Sequence, residues 1–268
     1  MKLGISSYTY TWSVGVPGSI PREPRDEIKL LQKAADLEVD CLQIADNLPL
    51  HNMKEERLRD LKQKAEEAGI ELEVGARGMT PDMLFRYMEI ASLLDSSILR
   101  FVIDGPHFTP SIKEVIGIVK EAVPELEKSN IRLAIENHDR LLAREFLEIV
   151  EGSQSPNVGI CLDSVNSMGA GEGIETITTI LAPNTFNLHI KEFLVERHPH
   201  MMGFTIVGRP VGQGQMPLAW ILEQLGPFCQ SAILESWTPP EATVEQTMAK
   251  ETRWAIESIN YLKSKFFK

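Results

Sequence analysis

Residues 54–74 read KEERLRDLKQKAEEAGIELEV, and this stretch sets the architecture. Leu58, Leu61 and Ala65 recur at three- and four-residue spacing among charged neighbours, which predicts an amphipathic helix packed on one face. Gly69 then supplies the residue type that ends such a helix, and residues 70–74 open a short run of strand character. The alternation continues in both directions. PRDEIKLLQKAADLE (24–38) and SIKEVIGIVKEAVPELEKSN (111–130) repeat the helical pattern, the latter with Ser111 as its N-cap. Strand-like runs fall at 3–7, 39–44, 70–74, 98–103, 132–136, 158–163, 185–190 and 232–235. That is about eight βα units, the number that closes a parallel barrel, and 268 residues suit a (β/α)₈ fold of roughly 250.

No linker, low-complexity tract or shift in composition divides residues 1–268, so the sequence predicts a single TIM-barrel domain. Residues 192–216, rich in Gly, Pro, His and Met, predict a long loop after the seventh strand, with a small hairpin near 204–207. Two roles suit that loop: a lid over the barrel mouth, or a contact in a homo-oligomer.

The formal charge of -11 and pI near 5.1 oppose a nucleic-acid partner, which draws on clustered Lys and Arg. Cys41, Cys161 and Cys229 are few and far apart, as expected of free thiols in a reducing compartment. The opening MKLGISSYTYTW turns polar too soon for a secretory signal, and no apolar run nears the ~20 residues that cross a bilayer. A cytoplasmic enzyme that does not engage membranes is the expectation.

Active sites of such barrels lie where strands end. The last four strands end IRLAIENHD (131–139), VGICLDSVN (158–166), FNLHIKE (186–192) and AILESW (232–237), and alternation turns Glu136, Asp163, His189 and Glu235 to one face. A single acidic residue at a strand end is commonly a helix cap or a solvated loop residue. Four ligand-type residues on successive strands are harder to explain that way. Three enclosed carboxylates would repel one another unless a cation lay between them. Two Glu, one Asp and one His suit one divalent ion, Mn²⁺ or Mg²⁺ first, with Co²⁺ or Zn²⁺ acceptable.

At these residues the chain resembles the xylose isomerase-like TIM-barrel superfamily of sugar isomerases, ketose 3-epimerases, dehydratases and endonuclease IV enzymes. The resemblance runs from KLGISSYTY through IENHD, CLDSVN and LHIKE to VGQGQMPLAW and ILES. It implies that Glu136, Asp163, His189 and Glu235 are the metal ligands, and that Glu136 and Glu235 also move the proton, as the paired glutamates of ketose epimerases do. The implied activity is isomerisation or epimerisation of a small sugar through an enediolate. The alternative is a metal-dependent lyase or dehydratase on a keto sugar, cyclitol or shikimate-like compound, which also begins beside a carbonyl. Asn166 stands where epimerases and endonucleases commonly carry His, and the expanded segment after strand seven leaves Arg197 and Arg209 as rival candidates for the family's arginine.

Further substrate contacts are expected at His138, Lys191, Arg209, Tyr8, His107 and Asn166. Three of them also have a plainer reading: His138 as a surface loop histidine, Lys191 as a structural ion-pair partner, and Tyr8, with Tyr10 and Trp12, as ordinary packing at the barrel top. The substrate class implied is a small carbohydrate.

Overall fold

Ten strands form in the computed structural model, which describes residues 1–267. They are β1 (Lys2–Ser6), β2 (Cys41–Ile44), β3 (Glu71–Arg77), β4 (Ile98–Val102), β5 (Arg132–Glu136), β6 (Val158–Asp163), β7 (Thr185–Ile190), β8 (Phe193–Arg197), β9 (Phe204–Gly208) and β10 (Ser231–Leu234). Eight close a parallel barrel in the order β1-β10-β7-β6-β5-β4-β3-β2, while β8 and β9 pair as a separate antiparallel hairpin. The helices are α1 (Thr11–Val14), α2 (Glu27–Asp36), α3 (Glu55–Ala68), α4 (Pro81–Leu93), α5 (Ile112–Lys128), α6 (Ala143–Ser153), α7 (Ile174–Leu181), α8 (Leu218–Gln224) and α9 (Val244–Lys265). Among the described residues no helix is long and apolar enough to cross a membrane.

The local signals act as anticipated. Gly69 takes φ +67° and returns its N–H to Ala65 and Glu66, ending α3. Ser111 and Glu114 form a reciprocal capping box at the start of α5. Leu42, Leu72, Phe101, Leu133, Leu162 and Leu188 are buried beneath the helices, each worth about 1.5–3 kcal/mol against exposure. The inward face carries Gln43, Glu73, Arg100 and Asn187, all buried, so the barrel axis is polar rather than aliphatic.

Register brings the ligand-type residues level. Asp163 pairs with His189, His189 with Ile233, and Glu136 with Cys161. Glu235 follows Ile233 by two positions and shares its face.

Two elements differ from expectation. β3 runs on to Arg77 instead of stopping at Val74, because its ladder with β4 continues from Val74↔Leu99 to Arg77↔Val102. The segment 192–216 is mostly regular: β8 and β9 make a hairpin, of which the expected 204–207 run is one arm. At its root an added Cβ on Gly208 would fall 1.9 Å from the Trp237 carbonyl oxygen, so only glycine permits this approach. Beyond the hairpin, the buried Glu192 carboxylate accepts from Gly212 N (3.0 Å) and Met216 N (2.9 Å) and ties the returning chain to the rim.

The barrel mouth near β1 is anchored from α9. Glu251 Oε1 accepts from Trp12 N (2.9 Å), and Oε2 accepts from Ser13 N (3.1 Å) and Ser13 Oγ (2.7 Å). Burial pushes the Glu251 carboxyl up to about 7, and those three donors only partly oppose it. A raised carboxyl pKa favours the protonated folded form. Its contribution is complete below the ordinary glutamate value and is lost as pH rises through about 7. The thermal midpoint of Glu251→Gln relative to the native protein is therefore expected to rise between pH 4.5 and 8, by the equivalent of about 3 kcal/mol. A difference that stays constant across that range contradicts the assignment.

Candidate metal and substrate site

Glu136, Asp163, His189 and Glu235 meet at the C-terminal mouth of the barrel, and all four are buried. His189 Nδ1 lies 3.5 Å from Glu235 Oε1, 3.6 Å from Glu136 Oε2 and 3.8 Å from Asp163 Oδ2. Neither His189 Nδ1 nor Asp163 Oδ2 has a hydrogen-bond partner, although both are fully buried. Two such polar atoms facing one another, among carboxylates, could hold a cation between them.

The chain fixes which histidine nitrogen faces that point. Gln43 spends its amide hydrogens on Glu73 Oε2 (2.9 Å) and Asn187 Oδ1 (3.1 Å), so its Oε1 must accept from His189 Nε2 at 2.8 Å. Nδ1 is thereby left to offer its lone pair to the carboxylate side. Asn187 Nδ2 also donates to Glu73 Oε2 (3.2 Å) and Ser231 Oγ (2.7 Å), extending the polar column down the barrel. Burial raises the Glu73 carboxyl above the usual range.

Two buried cations intervene among the carboxylates. Arg100, 2% exposed, donates through Nε to Glu136 Oε2 and through Nη1 to Asp46 Oδ1 (2.6 Å). Lys191 Nζ sits 2.8 Å from Asp163 Oδ2 and 2.9 Å from Glu235 Oε2. Lys191 thus places an ammonium beside the same Asp163 oxygen that faces His189 Nδ1. Remaining acceptor positions are occupied too: Asn166 Nδ2 donates to Glu136 Oε1 (2.8 Å) and Ser6 Oγ to Glu235 Oε1 (2.9 Å). Asp163 Oδ1 takes the Val165 and Asn166 N–H groups.

These contacts decide the protonation states. Burial alone would raise Glu235 and Asp163, but nearby positive charge holds both below their ordinary values: His189, Lys191 and Arg100 at Glu235, Lys191 and His189 at Asp163. Burial opposes the Lys191 ammonium, yet Asp163 and Glu235 hold its pKa above the usual lysine value. Cys161 lies close to this group, but burial raises its thiol and Sγ donates to Asn187 Oδ1, so it offers no thiolate.

Above the carboxylates opens a cavity of about 320 Å³. Tyr8, His138, Lys191 and Asn166 line it, in company with Glu136 and Glu235. Trp12, Val16 and Trp237 form its apolar side. Two expected contacts lie elsewhere. His107 is exposed at the tip of the turn closed by Gly105 and Phe108, with φ +61°, and borders a separate surface depression. Arg209 is held by Glu196 across the hairpin and its Nη1 donates to Gly208 O (3.0 Å), so it is turned from the cavity. No residue of 192–216 is among those that line the cavity. Arg197 lies over the Phe204 ring, and Tyr10 is buried in the core.

Asp46, Arg77, Arg100 and Gln43 escaped the sequence reading. Arg100 left a signal, a charge at an inward position of the aliphatic run ILRFVI. Arg77 was hidden by the strand boundary. Asp46 gathers the group, because its carboxylate accepts from Arg100, from Arg77 Nε (3.2 Å) and from Tyr8 OH (3.0 Å).

Comparison with known proteins places these features in a family. A curated relative, 3-oxo-isoapionate decarboxylase of Pectobacterium atrosepticum, is 31% identical over 264 residues, covering 98% of this chain and 95% of the relative. Among solved structures, D-psicose 3-epimerase in the presence of D-fructose superposes with a TM-score of 0.75 at 15% identity, covering all of both chains. The IOLI protein with a bound zinc atom gives 0.66 at 18% identity, over 97% of this chain and 99% of that one. Residues 31–265 match the family model described as the xylose isomerase-like TIM barrel, and the chain belongs to that family.

Proposed function

We propose that the protein is a metal-dependent lyase that removes CO₂ from a 3-oxo sugar acid. The observation that carries this reading is the capture of both candidate proton-moving glutamates by cations, Glu136 by Arg100 and Glu235 by Lys191. Epimerisation needs one free base on each face of the substrate carbon. Carboxylates tied to buried cations are poor bases. Decarboxylation needs neither: the bond to the carboxylate breaks, its electron pair moves toward the neighbouring carbonyl oxygen, CO₂ leaves, and one proton adds to the carbon. The relative named a decarboxylase, matched along nearly its whole length, supports the same choice.

Glu136, Asp163, His189 and Glu235 fit a divalent ion. His189 Nδ1 lies 3.5–3.8 Å from one oxygen of each carboxylate, a spacing that leaves room for one ion among the four side chains. The oxygen-rich set suits Mn²⁺ or Mg²⁺ and tolerates Zn²⁺ or Co²⁺. When bound, the ion supplies Lewis-acid polarisation of a carbonyl oxygen. The chain supplies the rest. Lys191 faces the cavity as an ammonium and meets negative charge as it develops on oxygen. Asn166 fixes Glu136, and Gln43 fixes the ring of His189.

A 3-oxo sugar acid labelled with ¹³C at the carboxyl is expected to release one labelled CO₂ per turnover, with loss of activity in EDTA and recovery in Mn²⁺. Release of no CO₂ from a panel of such acids, together with conversion of a ketose to its 3-epimer, favours the epimerase reading instead. Gln43→Met removes the acceptor that orients His189. Its affinity for Mn²⁺, measured calorimetrically, is expected to fall roughly 10–100-fold with the circular dichroism unchanged. Native affinity in that variant contradicts the ligand role of His189.

A further inference from the structure

We propose that Arg77 receives the substrate carboxylate and makes the cavity select a sugar acid over a neutral ketose. The substrate class rests on the lyase reading above, while the assignment of the residue rests on geometry. Three cationic side chains line the cavity, Arg77, Arg100 and Lys191, against two carboxylates, Glu136 and Glu235. Arg100 is buried and divided between Glu136 and Asp46, and Lys191 between Asp163 and Glu235. Each is therefore already paired with two carboxylates of the chain.

Arg77 differs. Its side chain is 32% exposed, and its one carboxylate contact is Nε to Asp46 Oδ2, an oxygen already shared with Tyr8 OH. Nη2 donates to His138 Nε2 at 2.9 Å, and Nη1 has no acceptor among the described residues. Asp46 and His138 thus clamp the guanidinium at two points and leave the Nη1–Nη2 edge open. That edge is the planar fork that binds a carboxylate through two parallel hydrogen bonds. The same contacts define His138. Its Nδ1 lies 2.8 Å from Asp139 Oδ2 and carries the proton, so Nε2 accepts from Arg77. His138 is a positioning residue for the arginine, not an acid or base toward substrate.

The total charge agrees. With a metal ion bound His189 is a neutral ligand, and Arg77, Arg100 and Lys191 stand against Asp46, Glu136, Asp163 and Glu235, three positive charges to four negative. A divalent ion brings the enclosure to one net positive charge. A monocarboxylate neutralises it, and a neutral sugar leaves it uncompensated.

The test uses L-threonate, a four-carbon sugar acid, and erythrulose, a neutral four-carbon ketose, titrated calorimetrically into the Mn²⁺-loaded protein. The native protein is expected to bind threonate at least about tenfold more tightly than erythrulose. Arg77→Gln is expected to lose that preference by weakening threonate alone, and Arg77→Lys to recover part of it as a point charge without the fork. His138→Leu, which keeps the charge and removes the clamp, provides an independent variant and should show an intermediate loss. Native threonate affinity in Arg77→Gln or in His138→Leu overturns the assignment. Native CO₂ release from a 3-oxo acid by Arg77→Gln, at unchanged KM, overturns it while sparing the lyase reading. Arg77-dependent threonate binding in a protein that releases no CO₂ upholds the assignment and refutes the lyase instead.

Discussion

The buried ion pair between Arg100 and Glu136 constrains everything above it. A guanidinium on the inward face of β4 cannot be left unpaired, and loss of one partner from such a pair typically costs 3–5 kcal/mol. Arg100 therefore fixes Glu136 on β5 and Asp46 after β2, on opposite sides of its own strand. Asp46 in turn holds Tyr8 and Arg77, so one buried charge organises half the mouth. Lys191 does the equivalent across the barrel for Asp163 and Glu235. What remains without a polar partner is His189 Nδ1, facing the Asp163 Oδ2 that Lys191 offsets.

This arrangement changes how three clustered carboxylates are understood. Mutual repulsion alone would require a metal ion, but Arg100 and Lys191 already offset much of the negative charge. The case for an ion rests on the two orphaned atoms and on the tautomer that Gln43 imposes, a more local argument. The same cations bear on chemistry. Each of the two glutamates is engaged by a buried cation, Glu136 by Arg100 and Glu235 by Lys191, which is the basis of the proposed lyase chemistry.

Much of this was legible in the sequence. The barrel followed from helix and strand periodicities with Gly69 and Ser111 as punctuation, and the ligand-type residues from alternation at four strand ends. What escaped depends on pairing between strands distant in sequence. Arg77 came to the rim only because β3 stays in register with β4 beyond Val74. Gln43 matters through His189, on a strand 146 positions away. Arg209 and His107 lie away from the cavity for a local reason, since Glu196 holds the one and a tight turn the other. The segment 192–216 had the composition of a lid, but two of its stretches pair with each other and the hairpin leaves Met201, Met202 and Phe204 exposed.

The central claim is that Glu136 and Glu235, pinned by Arg100 and Lys191, do not serve both faces of a substrate carbon. Turnover in D₂O, followed by proton and deuterium NMR of the ketose product, tests it most directly. The account predicts one deuterium at the carbon that has lost CO₂ and none at the stereocentre across the carbonyl, whose configuration is retained. Formation of both configurations at a rate comparable with CO₂ release would contradict it.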